Sequence, residues 1–328
     1  MRKVVITPDG QLALTASSSH DIAVWDLKAG RSVDTLKISG HADLSVADIV
    51  ATADRWLILS AYWDTARVFN VRQGREVGAL TLPFGNPLLR GVAKGITGVP
   101  DARIEAARLS SDGQFVILGC MGSTLKLWDL KNGQVRTLTD QPSLVRKIGL
   151  KVIGEPYLGW IKSVASTSNR QLVVSGCYEG FLKVWNLNSG QVVTLDGHSK
   201  HYRWGADWLK IRKDKILDIS ITSDRHQAVT ACEDGTLKLW DLDNMKEIGT
   251  LEGHTEAVNG VALVPNKACA ISASDDGTVK MWDLKRRQAI ASFSGDGPFE
   301  GLAVAPNGLL CVAVGSGQVL PLALEGLK

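Results

Sequence analysis

The chain has 328 residues, 45% hydrophobic and 22% charged, and its 37 Lys and Arg against 34 Asp and Glu leave a formal charge of +3. No stretch approaches the roughly 18 apolar residues of a membrane span, and MRKVVITPDG has no apolar core of the kind a secretory signal carries, so neither a membrane protein nor an exported one is expected. Five cysteines, an odd number without C-x-x-C spacing, fit a reducing, cytoplasmic setting and argue against a disulfide mesh or a structural zinc site.

A chain this long exceeds what one core usually fills, so two domains or a repeat is expected. The repeat is present. DIAVWDL (Asp21 to Leu27), TARVFNV (Thr65 to Val71), TLKLWDL (Thr124 to Leu130), FLKVWNL (Phe181 to Leu187), TLKLWDL (Thr236 to Leu242) and TVKMWDL (Thr278 to Leu284) are near copies, and GQVLPLAL (Gly317 to Leu324) holds the same place without an aromatic. Each copy alternates apolar and polar residues and runs into a turn such as KAG, KNG or NSG, the pattern of a half-buried strand entering a hairpin. Another strand precedes it (LALTAS, FVILGC, CAISAS), itself led by a turn such as TPDG or SSDG, and a fourth follows, as in VVTL or EIGTL. Seven units of four strands with no helical pattern between them predict an all-β chain of radially arranged four-stranded antiparallel sheets.

These residues resemble the Trp-Asp (WD) repeat family, and the resemblance runs over essentially the whole chain. It implies a seven-bladed β-propeller. Approximate blades are 1–38, 39–81, 101–138, 160–195, 216–251, 252–293 and 294–328, with inserted loops at 82–100, 139–159 and 196–215. The family's structural tetrad joins a His, a Ser or Thr, an Asp and the Trp. The sixth unit has His254, Ser272, Asp276 and Trp282; the second has His41, Ser60 and Asp64 with Phe69 in the Trp place; the fifth has Thr230, Asp234 and Trp240, with His198 expected to be displaced by an insertion. In the fourth stand Ser175, Glu179 and Trp185, in the first Thr15, Ser19 and Trp25, and in the third Leu118 and Gly122 replace Ser and Asp. A Ser, His and Asp set could be a hydrolase triad, but a set repeated around a ring and ending on a buried indole reads as satisfied polar groups inside each blade. Cys120, Cys177 and Cys232 hold one equivalent position in successive units, too far apart for a disulfide or shared metal, and read as small buried side chains.

The intervals from Phe69 to Trp128, Trp185 and Trp240 exceed the flanking ones by about 15 residues each. The additions fall between the last strand of one unit and the first of the next, so three consecutive blades are expected to raise a rim on one face. Long loops on a rigid scaffold are where function sits. The three segments carry net charges of +2, +1 and +3, so most of the basic excess lies there. Arg90, Lys94, Arg146, Lys147, Lys151, Tyr202, Arg203, Trp204, Trp208 and Arg212 are the candidate partner contacts, with Tyr157 and Trp160 nearby, because exposed Trp, Tyr and Arg dominate binding hot spots.

First-strand residues are expected to line the channel, and counting back from each turn gives Lys3, Asp48, Ala106, Ser163, Asp218, Gly260 and Gly301. Two carboxylates three blades apart, with no His in their layer, read as solvated groups rather than a metal site. Family propellers close by lending a first strand to the last blade, whereas only Met1 and Arg2 precede the first inner strand here, so the seventh blade is expected to be incomplete or completed from a longer chain. The repeat phrases also look like the terminal arrays of bacterial signalling proteins that follow a nucleoside-triphosphatase module, though no phosphate-binding loop is present. The resulting expectation is a non-catalytic scaffold, without cofactor or metal, that binds a protein or peptide, an acidic one suiting the basic loops. Nucleic acid or another polyanion is the alternative within binding, and a channel-metal hydrolase stands behind both.

Overall fold

A computed structural model describes residues 3–16, 21–37, 46–52, 55–62, 64–82, 103–140, 160–167, 169, 171–198, 214–315 and 318–324. Among them every regular element is a strand, in seven antiparallel meanders each ordered a to d outward from the centre. Blade one comprises Lys3–Ile6, Leu12–Ala16, Asp21–Asp26 and Arg31–Lys37, and blade two Val46–Ala51, Trp56–Tyr62, Thr65–Asn70 and Arg75–Thr81. Blade three follows with Ile104–Leu109, Phe115–Cys120, Thr124–Asp129 and Val135–Thr139, then blade four with Ile161–Ser166, Leu172–Cys177, Phe181–Asn186 and Val192–Asp196. Blade five has Ile216–Ile221, Gln227–Cys232, Leu237–Asp241 and Lys246–Leu251, and blade six Val258–Leu263, Cys269–Ser274, Thr278–Asp283 and Gln288–Ser294. The seventh has three strands, Gly301–Val304, Leu310–Gly315 and Gln318–Ala323.

Local chemistry explains the hairpins. The residue after each aromatic folds the outer turn: Asp26 Oδ1 accepts from the amides of Lys28 and Ala29, and Asp129, Asn186, Asp241 and Asp283 do the same in their own blades. The inner turns of blades one, three and five use a hydroxyl and a carboxylate, as where Thr7 Oγ1 donates to Asp9 Oδ1 at 2.5 Å and Asp9 in turn accepts from the Gln11 amide.

Apolar side chains fill the space between neighbouring blades, and the a strands contact one another around the whole ring, first to seventh included. At that seam Ile6 and Ala13 of blade one pack on Ala305, Val312 and Val314 of blade seven, so among the described residues the ring closes by packing, without a shared sheet.

One register detail positions the channel. In blades two to six a β-bulge interrupts the start of the a strand, leaving Ala47, Glu105, Lys162, Leu217 and Asn259 unpaired. A bulge re-aims the extra side chain.

Candidate functional site: polar cores, channel and the face above blades three to five

In blade six the tetrad is complete. Trp282 Nε1 donates to Ser272 Oγ at 2.8 Å, Ser272 Oγ lies 2.7 Å from His254 Nε2, and His254 Nδ1 lies 2.7 Å from Asp276 Oδ2. The network assigns the tautomer: Ser272 donates to Nε2, and Nδ1–H donates to the carboxylate. Burial lowers the His254 pKa and keeps the ring neutral, against the pull of Asp276. Burial alone would raise Asp276, but hydrogen bonds from Thr278, His254 and the Thr255 amide outweigh it and hold the carboxyl at about 2.

Blade five corrects the expectation for His198. It is fully buried, its Nε2 is 2.8 Å from Thr230 Oγ1, and Trp240 Nε1 donates to that same oxygen at 3.0 Å. Gly197 and His198 stand against Trp240 and Thr230 as Gly253 and His254 stand against Trp282 and Ser272 in blade six. Hydroxyl-to-indole bonds also occur in blades four and one, Trp185 Nε1 to Ser175 Oγ at 2.8 Å and Trp25 Nε1 to Thr15 Oγ1 at 2.9 Å. In blade two Ser60 is buried and Asp64 accepts from Thr65 Oγ1 at 3.1 Å, while His41 lies outside the described residues.

The channel carboxylates are tied to neighbouring blades, and Asp48 is buried rather than solvated, which is a second correction. Asp48 is 5% exposed and its Oδ2 accepts the Leu109 amide of the next blade at 2.8 Å; Asp218 Oδ2 accepts Val261 N at 3.0 Å in the same way. Each therefore stitches one blade to the next. Arg108 joins both, with Nη2 at 2.5 Å from Asp218 Oδ1 and Nη1 at 3.7 Å from Asp48 Oδ1, bridging blades three, two and five across the channel. Burial works against the guanidinium charge, and the two carboxylates outweigh it, raising the Arg108 pKa. The Lys3 ammonium, in the same cavity, is lowered first by burial and then by Arg108. The channel cavity measures about 230 Å³ and is lined by Lys3, Ala106, Arg108, Lys162, Ser163 and Asp218 among others.

Turn counting also misplaced Asp48 beside Ala106. Asp48 pairs with Leu59 and Arg108 with Ile117, and both partners face the residue just before their blade's aromatic, so Asp48 stands level with Arg108. The cause is the short inner turn of blade two, closed from Thr52 to Arg55, where blade three spans Ser110 to Phe115.

Above the channel mouth, where the d-to-a connections lie, a continuous strip crosses blades three, four and five. Glu105 is ion-paired with Arg103, whose Nε is 2.7 Å from Oε1, and its Oε2 accepts from Lys162 Nζ at 2.7 Å; Glu105 and Lys162 are both bulge residues. Arg103 stacks over the Trp160 ring at 5.8 Å, Trp160 meets Tyr178 edge to face at 6.3 Å, and Lys215 Nζ stands 4.8 Å from the Tyr178 ring and 2.7 Å from Glu233 Oε1. Burial disfavours the Lys215 charge, yet Glu233 and Tyr178 together raise its pKa. Four cation and aromatic partners in one chain of contacts preorganise a half-buried surface.

Of the sequence-derived partner contacts, Arg90, Lys94, Arg146, Lys147, Lys151, Tyr202, Arg203, Trp204, Trp208 and Arg212 all lie outside the described residues. What is described is the base on which those segments stand: Leu82, Arg103, Asp140, Trp160, His198 and Asp214 flank them. Sequence reading passed over Arg108, Glu105, Lys162, Tyr178 and Glu233. A signal for Arg108 existed, since the residues at the same count from the other inner turns are Val5, Val50, Ala165, Ser220, Ala262 and Ala303.

One further cluster carries ligand chemistry: His198, Cys232 and Asp234 bring an imidazole nitrogen, a thiol and a carboxylate oxygen within 4.8 Å of one another. All five cysteines are free, and Cys120, Cys177, Cys232 and Cys311 are buried.

A family model described as WD domain, G-beta repeat matches residues 96–129, 152–186, 209–241 and 245–283. The small ribosomal subunit protein RACK1 of Caenorhabditis elegans is 27% identical over 235 residues, 62% of this chain and 64% of that protein. Autophagy-related protein 16 of Arabidopsis thaliana is 22% identical over 225 residues, 58% of this chain and 40% of its own length. Kinesin-like protein KIF21B of Mus musculus is 23% identical over 293 residues, 76% of this chain but 16% of its own length. The chain thus spans between 16% and 64% of these relatives. Three of the four matched segments hold a hydroxyl-to-indole bond inside a radial blade, and on these grounds the chain belongs to the WD-repeat β-propeller family.

Proposed function

We propose that the chain is a non-catalytic platform holding a protein or peptide partner on the face that carries the three inserted segments. The observation that carries this reading is the strip from Arg103 through Trp160 and Tyr178 to Lys215, which lies at the roots of those segments and is held by contacts within the chain itself. Aromatic and Arg side chains on a preorganised base are the composition of binding hot spots. An acidic partner segment complements the basic insertions, and a reducing cytoplasmic setting suits five free cysteines. No described helix is long and apolar enough to cross a membrane.

The test is capture of partners by the intact chain and by two variants: Asp196 to Lys215 shortened to a four-residue turn, and Tyr178→Ala. A protein retained by the intact chain and lost by both supports the platform. Equal recovery from all three, with unchanged melting, moves the partner elsewhere and sinks this reading. Polyanion binding is the second reading, favoured by the net positive insertions. It requires an affinity that falls steeply with salt, whereas Glu105 and Glu233 already neutralise the cations of the strip.

A further inference from the structure

The outermost strand of every blade is a sheet edge, and an edge of unpaired N–H and C=O groups recruits a further strand unless something guards it. All but one of the outer strands here carry a guard. Arg31 and Asp34 stand in blade one, Arg75 and Glu76 in blade two, Arg136 in blade three, Asp196 in blade four, and Lys246 and Glu247 in blade five. In blade seven, whose outermost strand is Gln318–Ala323, the guard is Pro321. The Leu324 amide bonds inward to the Leu309 carbonyl at 2.8 Å, so alternation turns the Pro321 nitrogen to the outer side, where it offers no donor.

Blade six is the exception. Its outer strand Gln288–Ser294, QAIASFS, has no charge and no proline, and every residue in it is exposed. A bulge at Ile290, matched in blades one, two and five, interrupts the first half, and Ala291 to Ser294 run regularly beyond it. The Gly295 amide bonds inward to the Gly277 carbonyl at 2.9 Å, so Phe293 and Ala291 also bond inward, while Ser292 and Ser294 direct their N–H and C=O groups outward. The side chains are uncovered too. Leu138, Leu195 and Leu251 hold the place of Phe293 in blades three to five, and they are buried in clusters with Trp185, Trp240 and Trp282 of the next blade. Blade seven has Leu322 in the Trp place and no fourth strand among the described residues, and Phe293 is 38% and Ile290 46% exposed.

We propose that this edge pairs antiparallel with the same strand of a second copy of the chain, in a two-fold dimer. Self-pairing sets each side chain against its own kind or a close neighbour's, and a strand without charge meets no like-charge clash there. An uncharged edge carries no feature that selects a foreign peptide, whereas two-fold symmetry matches the strand to its own copy. With Phe293 opposite Phe293 of the second copy, Ser292 of each chain exchanges N–H and C=O bonds with Ser294 of the other, and the outward groups of the regular stretch are all paired. The two phenyl rings then meet across a non-hydrogen-bonded pair, where Cα atoms stand about 4.5 Å apart and aromatic pairs are favoured. Phe299, 6.4 Å from the Phe293 ring, continues the aromatic surface toward blade seven, whose three-stranded width leaves that side open. The contact lies away from the strip over blades three to five and is independent of the platform reading.

Sedimentation velocity of the full chain from about 1 to 500 µM tests it, a range set by the weak association that a single strand pair supports. The expected result is a monomer that gives way to a dimer as concentration rises. Ser292→Lys sets two ammonium groups near the two-fold axis and should weaken dimerisation at least about tenfold. Ser292 is exposed and its amide points away from the blade, so this variant should melt as the native chain does. Phe293→Cys gives a second measurement that involves no charge. Oxidised with diamide, it should link into a covalent dimer, while Val33→Cys, on the exposed but guarded edge of blade one, should not. Should Ser292→Lys fail to fold, that link decides. A native chain still monomeric at the upper concentration, a dimer that a folded Ser292→Lys leaves unchanged, or a link formed no more readily in Phe293→Cys than in Val33→Cys overturns the proposal.

Discussion

Blades three and six share strand order and a buried outer Trp, yet they stabilise it by opposite means. In blade six the Trp282 indole ends a four-member polar chain with Ser272, His254 and Asp276. In blade three Leu118, fully buried, takes the hydroxyl's place, and among the described residues no hydrogen bond involves the Trp128 indole. Trp128 instead packs closely on blade two, where a Cβ built on Gly78 would sit 3.0 Å from its ring. Either solution works because each leaves the interior consistent: a polar chain is stable when every member is satisfied, and a hydrocarbon interior when no polar group enters it. Blade three has moved its polar investment to the channel, where Arg108 ties Asp48 and Asp218.

The sharpest test of that relocation is Arg108→Met. It strands two carboxylates, one nearly buried, and should cost about 3 to 5 kcal/mol in urea unfolding. Adding Asp48→Asn and Asp218→Asn should recover a good part of the loss, and recovery of nothing would mean that Arg108 acts by packing alone. Next in size is Ser272→Ala in blade six, which leaves the Trp282 indole and the His254 ring without their shared partner and should cost about 2 to 3 kcal/mol. Its counterpart, Leu118→Ala, should cost a similar amount for a different reason, a cavity, and so should be rescued in part by Leu118→Met and not by Leu118→Ser.

Acid separates the two blades further. His254 is held below its ordinary 6.5 by burial, so its folded form binds fewer protons than the unfolded chain; its contribution is complete above pH 6.5 and declines as pH falls. Asp276, held at about 2, contributes fully above its ordinary 3.8 and loses that contribution between about pH 3.8 and 2. The melting temperature should therefore fall in two stages on acidification, and Asp276→Asn should remove that residue's share of the lower one, to which Asp234 also contributes. The same variant made on an Arg108→Met background should behave alike, since the two networks share no residue.

The fold was legible because its signals are local. Alternation, turn residues and the Asp or Asn after each aromatic are fixed by neighbours a few positions away, and the amide hydrogen bonds accepted by Asp26, Asp129 and Asp283 show the same local chemistry. The tetrads were legible wherever spacing is regular, as in Ser272, Asp276 and Trp282. His198 is misjudged from sequence because the expected insertion starts with the strand's last residue, Asp196, whereas His198 still reaches Thr230. Asp48 was misplaced by a turn shorter than its siblings, a length change that alters register without disturbing the alternation. Arg108, Glu105 and Lys162 were missed because their partners sit on other blades, 57 to 110 positions away for Glu105 to Lys162 and Arg108 to Asp218. Bulges, which no periodicity reveals, decide where two of them point.

The smallest expected effect is also the most direct comparison of the two blades. Trp282→Phe and Trp128→Phe remove the same atoms from equivalent positions, so the loss of packing and the cavity left behind are nearly equal. Only Trp282 donates a hydrogen bond, and its removal leaves Ser272 Oγ with one partner fewer in a buried place. The difference between the two variants, more than either value alone, should therefore be about 1 kcal/mol, with Trp282→Phe the less stable. A difference near zero would mean that the polar chain closes again without the indole, leaving Ser272, His254 and Asp276 as a self-sufficient unit. A difference of the opposite sign would mean that contact with Gly78 holds Trp128 more tightly than any hydrogen bond holds Trp282.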